Sequence, residues 1–215
     1  MAVANKLAYA TVEEYLKAEE TALVKHEYVD GRVFAMTGAN RRHNIIAGNI
    51  FTTLHSFLEG TPCRPYMEAM KARVKSANCF YYPDVMVACD NSDDESLYTE
   101  EPVLIVEVLS PSTAAVDRRE KLINYIKLPT LREYLLVHQR RKRVELYRKG
   151  DDGSWNLTEF SAGEQMVLES LPKGKMSISI DSIYKNVLNN SKIQEVQEEQ
   201  EKYVLSGEEA SALDW

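Results

Sequence analysis

Apolar positions along the chain alternate between two spacings, and the changes of spacing mark the elements. From Asn40 to about Glu59, Ile46, Ile50, Leu54, Phe57 and Leu58 recur as on a helix with one buried face, which Gly60, Thr61 and Pro62 end. Earlier, Thr11-Val12-Glu13-Glu14 is a capping-box pattern opening a short helix that turns Val12, Tyr15 and Leu16 inward. Between them KHEYVDGRVFAM predicts two strands joined at Asp30-Gly31, a type I′ hairpin signal, with Glu27 in the first strand. YMEAMKARVK and CFYYPDVMVAC then predict one strand each. The polar loop NSDDESLYTE and the strand PVLIVEVL follow.

SPSTAAVDRREKLINYIK predicts a helix with Ser or Thr as its N-cap and Ala115, Leu122 and Ile126 as its inner stripe, stopped by Leu128-Pro129. With PVLIVEVL before it and REYLLV after it, this is a right-handed strand-helix-strand crossover. RVELYRKGDDGSWNLTEF predicts a hairpin and KMSISI one more strand. From Asn189 the sequence turns polar and charged. The pattern therefore predicts one α/β domain over residues 1–188 and a helical tail over 189–215.

Composition narrows the class. In 215 residues, 44% hydrophobic and 27% charged content suits a globular domain, and no apolar run reaches the length of a membrane span. The first twenty residues lack a signal-peptide core, and the expected location is cytoplasmic. Cys63, Cys79 and Cys89 are odd in number and lack C-x-x-C spacing, so they are expected to be core or strand thiols in a reducing compartment. A net charge of −7 argues against nonspecific coating of nucleic acid while leaving room for a local basic groove.

Two carboxylates stand where strands should be apolar, Asp84 in YYPDVMVAC and Glu107 in LIVEVLSPST. Both lie equally far from the midpoint of the intervening loop, so a symmetric antiparallel register puts them opposite each other on one face. Carboxylates so close repel unless they share a proton or a cation. Hard oxygen donors with room for water favour magnesium, or manganese in its place, and such an ion supports phosphodiester hydrolysis. Lys121, on the flank of the next helix between Asp117 and Tyr125, has two readings, a solvent-exposed helix lysine or an amine projecting back over the sheet end to orient water and stabilise developing charge. Taken singly, each acid has a structural alternative. Asp84 can cap a strand entry, and Glu107 can pair with a buried arginine.

The succession HEYVDG, RRHNII, YYPDV, VLIVEVLSPST, DRREKLINY and LREYLLV resembles the bacterial Uma family of restriction-endonuclease-like proteins, within the PD-(D/E)XK nuclease superfamily. The resemblance runs from about Thr11 to about Ile183. It implies a restriction endonuclease-like core, a central mixed sheet flanked by helices, with extra hairpins and the C-terminal tail. Asp84, Glu107 and the backbone carbonyl of Val108 are the implied metal ligands. The superfamily's usual lysine position holds Leu109 here, and the resemblance moves that charge to Lys121. Glu27 matches an additional acid, and His43 a position able to contact phosphate or relay a proton.

The reading that results is a magnesium-dependent DNA endonuclease working as a homodimer, with no membrane association. Its rival is a nuclease-fold protein without turnover that binds nucleic acid or serves assembly. Arg41, Arg42, Lys71, Arg73, Lys75, Arg118 and Arg119 are the basic residues expected to neutralise phosphates, while Arg140-Arg141-Lys142-Arg143 is read as a solvated turn.

Overall fold

The computed structural model describes residues 9–36, 38–89, 95–111 and 113–187. The expected tail over 189–215 lies outside the described residues. The Thr11 capping box forms as the sequence predicts. Its hydroxyl accepts the Glu14 N–H while Glu14 Oε2 accepts the Thr11 N–H at 2.8 Å, opening α1 (Val12–Glu19). β1 (His26–Val29) and β2 (Arg32–Ala35) form the expected hairpin, with Asp30 and Gly31 both at positive φ. Asn40 caps α2 (Arg41–Leu58), which buries Ile46, Ile50, Leu54 and Leu58.

The next region departs from expectation. YMEAMKARVK supplies two strands, β3 (Arg64–Met67) and β4 (Lys71–Val74), which enter different sheets. CFYYPDVMVAC likewise divides into β5 (Cys79–Tyr81) and β6 (Val85–Ala88). The physical reasons are local. Glu68 takes a positive φ between the first two strands, and Pro83, lacking an N–H, breaks the ladder between the second two. Hydrophobicity alone cannot show a chain crossing between sheets without leaving the interior.

β7 (Tyr98–Thr99) precedes β8 (Pro102–Leu109). A helical crossover of α3 (Ala114–Val116), a π-helical turn Asp117–Lys121 and α4 (Leu122–Tyr125) leads to β9 (Glu133–His138). β10 (Arg143–Lys149) and β11 (Trp155–Ser161) form the expected hairpin, β12 (Gln165–Leu168) pairs with β13 (Met176–Ser179), and α5 (Ile180–Ile183) follows.

The main sheet is mixed, in the order β11-β10-β9-β8-β6-β3, with β8 and β9 parallel as the crossover requires. A second sheet, β2-β1-β5-β4-β7, carries the Glu27 hairpin. α2 packs on β3, β6 and β8. On the alternate residues of the main sheet, Met86, Ile105, Leu109, Tyr134 and Leu136 join Tyr81, Tyr125 and Leu131 in a second core. Glu107, between Ile105 and Leu109, therefore projects into the tyrosine-rich side. Among the described residues no helix is long and apolar enough to cross a membrane.

Two further expectations need correction. Cys63 and Cys89 are joined by a disulfide, Cα–Cα 4.0 Å, because they extend the β3/β6 ladder one step past the Arg64–Ala88 pair and so face each other. Cys79 alone is a free, buried thiol, and the cysteines carry no argument for a reducing compartment. Ala115 is exposed, not part of an inner stripe. The buried face of the crossover is Asp117, Lys121, Asn124 and Tyr125.

Gly31 tests the hairpin that carries Glu27. Its φ of +88° and the Tyr9 ring carbon 2.6 Å from a Cβ placed there oppose any side chain. Gly31→Ala is expected to lower stability by about 1–2 kcal/mol, read as a lower urea midpoint at unchanged slope.

Candidate active site

The site is built where the C-terminal end of β8 meets the entry to β6. Val85 pairs with Val106, so the next residues outward, Asp84 and Glu107, stand across from each other as the sequence predicts. A register shift at Val87/Ala88 lies between them and the loop, leaving their pairing intact. Asp84 Oδ2 accepts the Val108 N–H at 2.6 Å, and Oδ1 lies 2.8 Å from His43 Nε2 on the first turn of α2. The His43 contact has ion-pair distance without hydrogen-bond alignment. Val108 thus meets Asp84 through its amide.

Lys121 occupies the centre. Its Nζ is 2.9 Å from Glu27 Oε1, 3.1 Å from Glu107 Oε1 and 3.5 Å from Asp117 Oδ1. The side chain comes from the π-helical turn, which brings Asp117 and Lys121 together onto the buried face. Lys121 is only 6% exposed and Glu107 3%. Tyr125, one turn on, donates its hydroxyl to Glu107 Oε1 at 3.0 Å, and Tyr134 donates to the Asp117 carbonyl. Glu27 arrives from the second sheet and also accepts the Tyr82 N–H at 3.4 Å.

Three carboxylates around one lysine, with Asp84 across from Glu107, set the electrostatics. Burial pushes the Glu107 carboxyl well above its ordinary range; the Lys121 ammonium works against this, and Asp117, Asp84 and Glu27 add to it. Burial raises Asp117 as well. For Lys121, burial alone would lower the pKa, but Glu107, Glu27 and Asp117 more than offset it, and the ammonium is held well above its usual value. Burial also works to lower His43, yet the Asp84 carboxylate leaves it raised. Lys121 is therefore a fixed cation at neutral pH and no base.

Known proteins resemble this one in sequence and in fold. Residues 12–180 match the Uma2 family, described as "Putative restriction endonuclease". The chain belongs to the Uma2 family. Two relatives from Synechocystis sp., "Uncharacterized protein slr1290" and "Uncharacterized protein sll1609", are 37% identical over 176 residues and 35% identical over 162. These matches span 81% and 74% of this chain, and 91% of each relative. A crystal structure from Anabaena variabilis, of "a putative nuclease belonging to DUF820", superposes with a TM-score of 0.66 over 83% of this chain and 99% of that one. At 16% identity that likeness is one of fold.

Within this Uma2 chain, Glu27 from β1, Asp84 at the entry to β6, Glu107 from β8, Lys121 from the π-helical turn and His43 from α2 come together. Asp117 and Tyr125 complete the cluster. Their signal was the one-turn spacing on either side of Lys121, which an apolar-stripe search passes over. Of the basic residues expected at phosphates, Lys71 is buried against Tyr82, Arg73 pairs with Glu100, and Arg118 pairs with Glu145 at 2.7 Å. These three are committed within the protein, while Arg41, Lys75 and Arg119 are exposed.

The donor set suits a hard divalent ion in kind. All four acids offer oxygen, and Asp117 Oδ1 is buried without a hydrogen-bond partner among the described residues. In arrangement Glu27, Glu107 and Asp117 are drawn onto Lys121 while Asp84 meets Val108 and His43, and among the described residues no three acid, histidine or cysteine side chains converge as a metal cluster.

Lys121→Met removes the ammonium in contact with the buried Glu107 and Asp117 and the half-buried Glu27. The expected cost in EDTA is about 3–5 kcal/mol near pH 8. Because Glu107 and Asp117 titrate above their ordinary range, their protonated forms favour the folded chain. The deficit should therefore shrink as pH falls toward 5, which parallel urea titrations would measure.

Proposed function

We propose that this protein is a magnesium-dependent DNA endonuclease, with manganese able to replace magnesium. The observation that carries the reading is the Lys121–Glu107 contact at 3.1 Å beside Asp84, which supplies from a following helix the charge that Leu109 cannot. Asp84 and Glu107, with the Val108 carbonyl, would hold the ion. When bound, the ion would polarise a phosphoryl oxygen and acidify a coordinated water.

The remaining work falls to the chain itself. Lys121, fixed as a cation, orients water and stabilises negative charge developing on the phosphate. Glu27 and Asp117 hold the ammonium in place from two sides. Tyr125 fixes the Glu107 rotamer through its hydroxyl. His43, whose pKa Asp84 raises against the effect of burial, is placed to contact phosphate or pass a proton to the departing oxygen.

The binding-only alternative draws support from the carboxylates' convergence on lysine and not on a shared point for a metal. Nicking of supercoiled plasmid and cutting of single-stranded DNA, with magnesium or manganese, separate the two. Asp84→Asn and Lys121→Ala are each expected to slow cleavage about 10²–10³-fold. Wild type that cuts no better than Asp84→Asn on every substrate would leave the binding reading in place.

A further inference from the structure

Gln139 directly follows β9 and is 4% exposed, and its Nε2 has no hydrogen-bond partner among the described residues. The orientation of its amide is set by a chain of contacts. Asn40 Oδ1 accepts the His43 N–H at 3.0 Å as the cap of α2, so Asn40 Nδ2 is the atom facing Gln139. That Nδ2 donates to Gln139 Oε1 at 2.8 Å. Exchanging the Gln139 oxygen and nitrogen would set two donors against each other, and so Nε2 is the group left without an acceptor. A buried donor in that state costs about 1–3 kcal/mol, which an arriving acceptor would recover.

The helix beside it offers the same kind of demand. α2 runs for 18 residues, has no acid in its first turn, and begins with Arg41 and Arg42. Its first backbone N–H groups have no intrahelical partners, and its dipole favours an anion at that end. Both features border the candidate active site. His138 pairs with Leu109, two residues past Glu107, and His43 in the first turn of α2 touches Asp84. The surrounding acids repel a polyanion, and Arg73 and Arg118 are already paired with Glu100 and Glu145.

We propose that Gln139 Nε2 and the first turn of α2, with Arg41, form a phosphate subsite next to the acid cluster. Naming a DNA backbone phosphate flanking the cleaved one as its occupant rests on the nuclease reading; the anion site does not. Gln139 acts here as a binding residue, supplying a neutral donor beside Arg41 where Arg73 and Arg118 are already claimed by acids.

Titrating inorganic phosphate into ¹⁵N-labelled wild type should move the backbone amides of Arg41, Arg42 and His43 together with the Gln139 side-chain amide. Duplex binding followed by fluorescence anisotropy in calcium should weaken about five- to tenfold in Gln139→Met and further in Gln139→Glu, at unchanged manganese affinity. Unmoved amides, or variants that bind phosphate and duplex like wild type, would overturn the subsite. If phosphate moves those amides while wild type neither binds nor cuts DNA, the anion subsite stands and the nuclease reading fails. The wild-type titration decides the matter even where a variant does not fold.

Discussion

The Lys121 ammonium is the constraint on which the site depends. It is nearly excluded from water and lies within 3.5 Å of Glu27, Glu107 and Asp117, residues from β1, β8 and its own helix. Removing a charge from water is costly unless its partners compensate it, and here three acids compensate one cation. Burial raises the Glu107 and Asp117 carboxyls, and the neighbouring acids add to it against the pull of Lys121. A site so arranged holds its acids in place while keeping a demand for further positive charge.

A second buried strand acid shows what a purely structural solution looks like. Glu133, at the start of β9, is paired with Arg148 at 2.8 Å and accepts the Glu169 and Ser170 amides and the Ser170 hydroxyl. Its oxygens are accounted for by one arginine and local donors. Glu107, whose strand runs parallel to that of Glu133, instead shares one lysine with two other acids. The arginine-paired role that the sequence left open for Glu107 is filled by Glu133.

Much of this was legible in the sequence because its signals are local. Capping at Thr11, the Asp30-Gly31 turn, the α2 stripe and the parallel crossover each rest on a few neighbouring residues, and each formed. The Asp84–Glu107 pairing was readable because a hairpin fixes register from its loop. What stayed hidden depends on contacts distant in sequence. Hydrophobicity is the same on both sides of a sheet crossing, so β3/β4 and β5/β6 read as single strands. The Cys63–Cys89 bridge needs the register of β3 against β6. The polar buried face of Asp117, Lys121 and Asn124 reads as a solvated one until the acids it meets are known, and Gln139 carries no sequence signal at all.

Asp84 and Glu107 are proposed to form a cation site held beside Lys121. Calorimetric titration of manganese into wild type and into an Asp84→Ala/Glu107→Ala double variant tests it most directly. Saturable binding is expected in wild type and its loss in the double variant. Manganese binding that survives the loss of both acids would place the metal elsewhere and contradict it.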